Sequence, residues 1–230
     1  MVHLLRHGEV YNPDGVLYGR LPGYHLSERG QQMAEVVAGA IADRDITHVV
    51  ASPLERAQET AAASAAVLGL PVGSDERLIE STNQFQGVSF KGGYLKLLRP
   101  GLLRHLYNPF QPSWGESYAH VASRMWAAVL DARIAAEGHE ALLVSHQLPI
   151  WITRLYAEGR PFFHDPRRRQ CTLCSLTSLT FEADTLVSVG YSEPAGYLIT
   201  PDERNANFSA GGAHDDQAHD DQAHDDQTPA

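Results

Sequence analysis

The chain is poor in cysteine, in lysine and in long apolar runs. Its 230 residues include two cysteines, Cys171 and Cys174. They form a Cys-x-x-Cys pair, and no second pair exists to complete a zinc site. They precede and enter an expected strand at 173–181 instead of opening a helix after a strand, as redox pairs do; buried, inert thiols are the expectation. No apolar stretch reaches the roughly 20 residues that cross a bilayer. The first residues enter a strand at once, without the charged, apolar and cleavage-site segments of a secretory signal, so a cytoplasmic location is expected. Of 18 basic residues two are lysine, Lys91 and Lys96, and no extended basic face is laid out, which removes support for nucleic-acid binding.

The formal net charge is −10, but residues 202–230 carry eight of the 28 acidic groups and one of the 18 basic ones, leaving 20 against 17 elsewhere. The acidity belongs mainly to the tail and says little about partners. From about Pro201 the chain turns to Asp, Ala, Gly and Gln, with Ala-His-Asp-Asp-Gln occurring three times over 213–227. Such a segment buries too little apolar surface to fold, so a disordered tail over 201–230 is expected, with weak metal binding by His214, His219 and His224 as the alternative. The remaining 1–200, in a chain that is 43% hydrophobic, suffices for one domain with one sizeable core.

Within that domain short β-rich runs alternate with helical ones. Residues 2–5, 47–51 and 141–144 read as buried strands, and 173–181 and 185–191 as two late ones. Helices are expected over 27–42 with Ser27 as N-cap, over 53–68 with Ser52 as N-cap and Pro53 in the first turn, over 116–137, and from 148 to about 157. Gly and Pro fall between these elements. The pattern predicts an α/β fold, a three-layer α/β/α sandwich with a mostly parallel sheet.

Three of the strands end in polar side chains able to bind an anion. The first delivers Arg6, His7 and Gly8; the second leads into Ser52 and, one helical turn in, Arg56; the third ends in Ser145, His146 and Gln147. Open α/β sheets place ligands at the carboxyl ends of their strands. Arginine offers a forked, permanent charge that fits phosphate, and His7 is a possible nucleophile beside a glycine that lets the backbone turn tightly.

The order of Leu-Leu-Arg-His-Gly-Glu (4–9), Gly19 with Leu-Ser-Glu-Arg-Gly (26–30), Ser-Pro-Leu-Glu-Arg-Ala-Gln-Glu-Thr (52–60), Leu-Ile-Glu (78–80), Gly-Glu-Ser (115–117) and Val-Ser-His (144–146) resembles the histidine phosphatase superfamily, also called the phosphoglycerate mutase-like family, over roughly residues 2–192. The resemblance implies that His7 is the phosphorylated nucleophile. It implies that Arg6, Arg56 and His146 hold the phosphoryl oxygens and that Glu80 protonates the leaving oxygen. A phosphate monoester carries about −1.5 to −2 charges near neutral pH, and two guanidinium groups with an imidazole can neutralise it during transfer. The same cations disfavour an imidazolium at His7, while a neighbouring dianion keeps Glu80 protonated. No metal and no cofactor is required.

The sequence departs from the family pattern in two places. Val10 stands where many relatives carry Thr or Ser, and Asn12 comes six residues after Arg6 where relatives have an Asn at seven. Asn12 can serve as a further phosphate contact, or as the first residue of an ordinary Asn-Pro-Asp-Gly turn. Residues 81–87 keep Phe85 and Gly87 but are otherwise loose, which bears on substrate identity more than on catalysis.

Residues 85–114 hold both lysines with Arg99 and Arg104, interleaved with apolar and aromatic side chains. They read as a helical cap over the site, either a plain lid or one whose cations and aromatics select an anionic substrate. The run Arg167–Arg169 is read first as a solvated loop and second as a contact to substrate. The expected activity is a phosphomonoesterase acting through phosphohistidine on a small phosphorylated metabolite. Phosphoglycerate mutase-type transfer is the alternative; it is disfavoured because 85–114 lacks the paired arginines of the family's cofactor-dependent mutases. A non-catalytic phosphate-binding module would have little need of both His7 and Glu80.

Overall fold

A computed structural model of the chain describes residues 1–89 and 115–200. The expected cap, beyond Ser89, and the expected tail therefore lie outside the described residues. β1 (Val2–Arg6) is buried along its whole length, with Val2, Leu4 and Leu5 in the core and His3 satisfied by Ser178 Oγ at 2.7 Å and a Glu140 oxygen at 3.0 Å. It lies inside a six-stranded sheet ordered β3-β2-β4-β1-β5-β6, formed with β2 (Ile46–Ala51), β3 (Gly73–Ser74), β4 (Glu140–Ser145), β5 (Leu176–Glu182) and β6 (Thr185–Ser192). The pairs β3–β2, β2–β4 and β4–β1 are parallel, while β5 joins β1, and β6 joins β5, antiparallel. The expected parallel sheet thus carries an antiparallel hairpin on one edge.

Helices cover both faces. α1 (Glu28–Ala40) and α2 (Glu55–Leu68) send Met33, Val37, Ala57 and Ala61 onto Leu5, Val49, Leu142 and Val144. On the other face α3 (Tyr118–Ala135) and α4 (Gln147–Ala157) place Val121, Met125, Val129 and Ile152 against Val2, Leu4 and Leu143. This is the three-layer sandwich that the alternation of elements requires, with a core on each side of the sheet. Among the described residues no helix is long and apolar enough to cross a membrane.

The ends of the elements bring corrections. Ser27 caps α1 as expected, its side chain accepting from the Gly30 amide. Ser52 does not cap α2: the helix begins at Glu55 behind Leu54, with no side-chain cap, and Pro53 lies outside it. α3 is capped by Ser117, whose side chain accepts from the His120 amide, so the helix starts two residues later than expected. β5 begins at Leu176 and not at 173, because Cys174 turns through a left-handed backbone conformation (φ 52°) that no strand residue adopts. Both cysteines are free and buried, as expected of inert thiols, and burial pushes them up to about 11 at Cys171 and about 12 at Cys174.

Candidate active site

The parallel register assembles the site. Arg6 stands opposite Ser145 in the β1–β4 ladder, and the His7 amide donates to the Ser145 carbonyl at 3.1 Å. His7 and His146 therefore leave adjacent strands side by side, with ring centroids 5.1 Å apart. The neighbouring strand contributes Ser52, whose amide donates to Val144 at 2.9 Å and whose hydroxyl lies 2.8 Å from His146 Nε2. Arg56, in the first turn of α2, is completely buried.

Close backbone contact holds the His7 turn in place. A Cβ on Gly30 would fall 2.0 Å from the Glu9 carbonyl oxygen, and one on Gly8 would fall 2.6 Å from the Gly30 carbonyl oxygen. Only glycine at both positions lets α1 press against the turn. Glu9, itself buried, accepts from Ser27 Oγ at 2.9 Å and from both Nε and Nη2 of Arg29. The Gly8 amide donates to Thr60 Oγ1 of α2 at 3.0 Å.

Each functional group is left in a defined state. His7 Nδ1 lies 2.7 Å from the Gly8 carbonyl, which can only accept, so Nδ1 carries the proton and Nε2 the lone pair. Burial holds the His7 imidazole well below its ordinary pKa, and Arg56 and Arg6 add to the shift. His146 is lowered well below its ordinary value too, by burial first, then by Arg56 and His7. Arg6 Nη1 donates to the Cys171 carbonyl at 2.7 Å, and Arg56 Nη2 to the Gly19 carbonyl at 2.7 Å. The remaining donors include Arg6 Nε, Arg56 Nε and Arg56 Nη1, all buried without a partner among the described residues, as is His146 Nδ1. Buried donors are rarely left so, and a cluster of them calls for an acceptor.

Glu80 follows the short turn Glu76–Leu78, which Ser145 Oγ ties to the sheet through the Leu78 carbonyl at 2.7 Å. One Glu80 oxygen accepts from the Ser81 amide at 2.8 Å. Burial raises its carboxyl above the usual range, against the pull of the Ser81 amide, Arg56, Arg169 and Arg6. Its backbone carbonyl accepts from Arg20 Nε at 2.5 Å, and Arg20 is held by Glu116, which also binds Arg124 at 2.8 and 3.0 Å. The Gly-Glu-Ser motif at 115–117 thus braces the segment that carries Glu80.

The structure brings His7, Arg6, Arg56, His146 and Glu80 together. Asn12 clasps its own loop: its Nδ2 donates to the Val16 carbonyl at 2.9 Å and its Oδ1 accepts from the Val16 amide at 3.0 Å. The Gly15 amide also donates to the Asn12 carbonyl at 3.1 Å, closing the Asn-Pro-Asp-Gly turn. Tyr18 carries no signal in the sequence, and the run 167–169 carries one that does not single out a residue. Tyr18 is buried beneath Arg56, whose guanidinium carbon lies 4.5 Å above the ring; a lone tyrosine in a loop gives no signal of this. Arg169 turns toward Glu80 and Arg6 while Arg167 pairs outward with Asp165. A run of three arginines does not say which of them faces in.

The family model described as the histidine phosphatase superfamily (branch 1) matches residues 2–194. The uncharacterized protein Rv0525 of Mycobacterium tuberculosis is 55% identical over 194 residues, covering 84% of this chain and 96% of its own. A probable phosphoglycerate mutase, GpmB, of an Enterobacter species is 30% identical, covering 83% of this chain and 89% of its own. Among solved structures, the mycobacterial glucosyl-3-phosphoglycerate phosphatase Rv2419c in complex with VO3 superposes with a TM-score of 0.66 at 26% identity, covering 83% of this chain and 96% of that one. The chain belongs to branch 1 of the histidine phosphatase superfamily.

Proposed function

We propose that the protein is a phosphomonoesterase that passes the phosphoryl group of a small phosphorylated metabolite through His7. The observation that carries this reading is the neutral His7 ring, with Nδ1 bound to Gly8 and Nε2 bearing the lone pair, beside buried Arg6 Nε, Arg56 Nε, Arg56 Nη1 and His146 Nδ1, which have no partner among the described residues. Arg6, Arg56 and His146 hold the three non-bridging oxygens and stabilise the charge that spreads over them in transfer. His7 Nε2 forms the bond to phosphorus as the bond to the ester oxygen breaks. The Glu80 carboxylic acid gives that oxygen its proton and releases an alcohol. Water then attacks the phosphohistidine, its proton passes to the Glu80 carboxylate, and inorganic phosphate leaves with the site restored. Asn12 contributes to this pocket chiefly as the clasp of the 12–16 loop, and a contact to phosphate would come from the same amide.

The likeness to a probable phosphoglycerate mutase supports a second reading, in which the phosphohistidine returns its group to another hydroxyl of the substrate. Hydrolysis is favoured because residues 90–114 contain no adjacent pair of arginines to clamp a bisphosphate. Brief incubation with labelled substrate and quenching without acid is expected to trap an acid-labile, base-stable phosphoprotein that His7→Ala abolishes along with turnover. With 3-phosphoglycerate, release of inorganic phosphate supports the hydrolase and appearance of 2-phosphoglycerate the mutase. Full turnover by His7→Ala would overturn both.

A further inference from the structure

We propose that Arg169 is a specificity-determining residue that receives a second anionic group of the substrate, a carboxylate or a second phosphoryl group near the reacting one. The proposal rests on the phosphomonoesterase reading above and deepens it. It starts from the charge partners of the arginines. Of the 13 arginines among the described residues, nine pair with a carboxylate: Arg20, Arg29, Arg44, Arg77, Arg124, Arg133, Arg154, Arg160 and Arg167. Arg168 is exposed. The other three are Arg6, Arg56 and Arg169, and their hydrogen bonds go to neutral groups.

Arg169 is fixed beside the phosphate pocket by a short chain of contacts. Gln147, the residue after His146, donates through Nε2 to the Cys171 carbonyl at 3.4 Å, the same oxygen that accepts from Arg6 Nη1 at 2.7 Å. The Gln147 side-chain oxygen faces Arg169 Nη1 at 3.5 Å. On the other side Arg169 Nε donates to His164 Nε2 at 2.9 Å. His164 can accept there because its Nδ1 donates to the Phe162 carbonyl at 2.6 Å, fixing the tautomer. The guanidinium is thereby held by its Nε edge, with Nη2 making no hydrogen bond to a described residue.

Among the described residues a phosphate alone does not balance the charge of these three arginines. A phosphoryl dianion matches Arg6 and Arg56, and Glu80, acting as an acid, enters the reaction uncharged. One partly buried cation is left over, and a buried charge without a partner is costly. Among the described residues no carboxylate pairs with Arg169, and residues 90–114 contain four basic residues and no Asp or Glu. A second anion on the substrate completes the balance.

The test uses the full-length chain and two phosphonates that cannot be hydrolysed, 4-phosphonobutyrate and 4-hydroxybutylphosphonate, which differ only in carboxylate against alcohol. Calorimetric titration is expected to show the carboxylate binding about 10- to 100-fold tighter, the size of one charge-assisted contact. Arg169→Gln should erase that difference while changing the affinity for the alcohol by less than about two-fold, which also reports that the phosphate pocket is intact. Butane-1,4-diylbisphosphonate in place of the carboxylate tells which anion is preferred. In turnover, 3-phosphoglycerate against glycerol 3-phosphate should show the same preference, with Arg169→Gln raising KM and sparing kcat. Equal binding of the two phosphonates by the unaltered protein would overturn the proposal. So would an Arg169→Gln defect in kcat shared equally by both esters with KM unchanged, which would make Arg169 a partner of Glu80 instead. Tight, Arg169-dependent binding without hydrolysis of either ester would leave the second-anion site standing and refute the phosphatase reading.

Discussion

His146 Nε2 lies 2.8 Å from Ser52 Oγ, and the other ring nitrogen, Nδ1, is buried without a partner among the described residues. The two halves of that arrangement are linked. If the serine hydroxyl donates to Nε2, the imidazole proton sits on Nδ1 and can be given to a phosphoryl oxygen; if Nε2 donates instead, Nδ1 presents a lone pair that repels it. An anion in the pocket selects the first tautomer, and Ser52 makes it available.

Ser52→Ala is therefore expected to weaken phosphate or vanadate binding and to lower kcat/KM. Leaving a buried acceptor unsatisfied costs about 1–3 kcal/mol, about 5- to 150-fold. Titration with vanadate and steady-state kinetics check this, and an unchanged affinity would show that the serine does not set the tautomer.

Glu80→Gln should slow alkyl phosphates by about 10²–10⁴-fold, the usual contribution of a general acid, while p-nitrophenyl phosphate, whose phenolate leaves without help, slows far less. Burial raises the Glu80 carboxyl above its ordinary range, so its deprotonation should set the alkaline limb of the pH–rate profile, and the substitution should flatten that limb. Equal loss on both esters with an unaltered profile would assign the proton to another group.

The low pKa of the His7 ring has a consequence for stability. The folded state keeps His7 neutral while the unfolded chain takes up a proton near the ordinary value of 6.5. The unfolded state binds more protons, so this group's contribution is complete above that value and is lost as pH falls below it toward the folded-state pKa. Urea denaturation of the unaltered protein and of His7→Asn at pH 7.5 and 5.5 should show a smaller loss on acidification in the variant. Parallel losses would mean that the ring charges in the folded protein.

Gly30→Ala should lower stability by at least about 1–3 kcal/mol, the typical cost of forcing extra volume into a packed site. The added methyl meets the Glu9 backbone at 2.0 Å, and no side chain can swing away to make room. Because Glu9 follows the His7–Gly8 turn, turnover should fall as well. Gly39→Ala, in the same helix and with nothing within 4 Å of the new methyl, serves as the control and is expected to be neutral or stabilising.

Much of the fold and site was legible in the chain itself. The buried strands of a mostly parallel sheet are short and largely apolar, so 2–5, despite His3, and 141–144 announce β1 and β4, and helical periodicity between them fixes the layers. The candidate residues follow those runs directly, so Arg6, His7 and His146 stand out by their positions at the end of a strand. Local signals at the element ends were less dependable. Ser-Pro at 52–53 has the composition of a helix start, yet the Ser52 hydroxyl faces His146 because the β2–β4 register sets the two residues side by side, a long-range pairing that propensity does not contain.

The primary structure by itself determined the family, the sandwich and the identity of the groups able to handle a phosphoryl transfer, since these depend on residue type and on short periodic patterns. Only the tertiary structure decided the state of those groups. The protonated nitrogen of His7 is set by the Gly8 carbonyl, the raised Glu80 carboxyl by burial, and the inward turn of Arg169 by His164 and Gln147. Each of these is a matter of which backbone oxygen, which neighbour and how little water surrounds a side chain. Those quantities exist only once strands distant in the chain have come together.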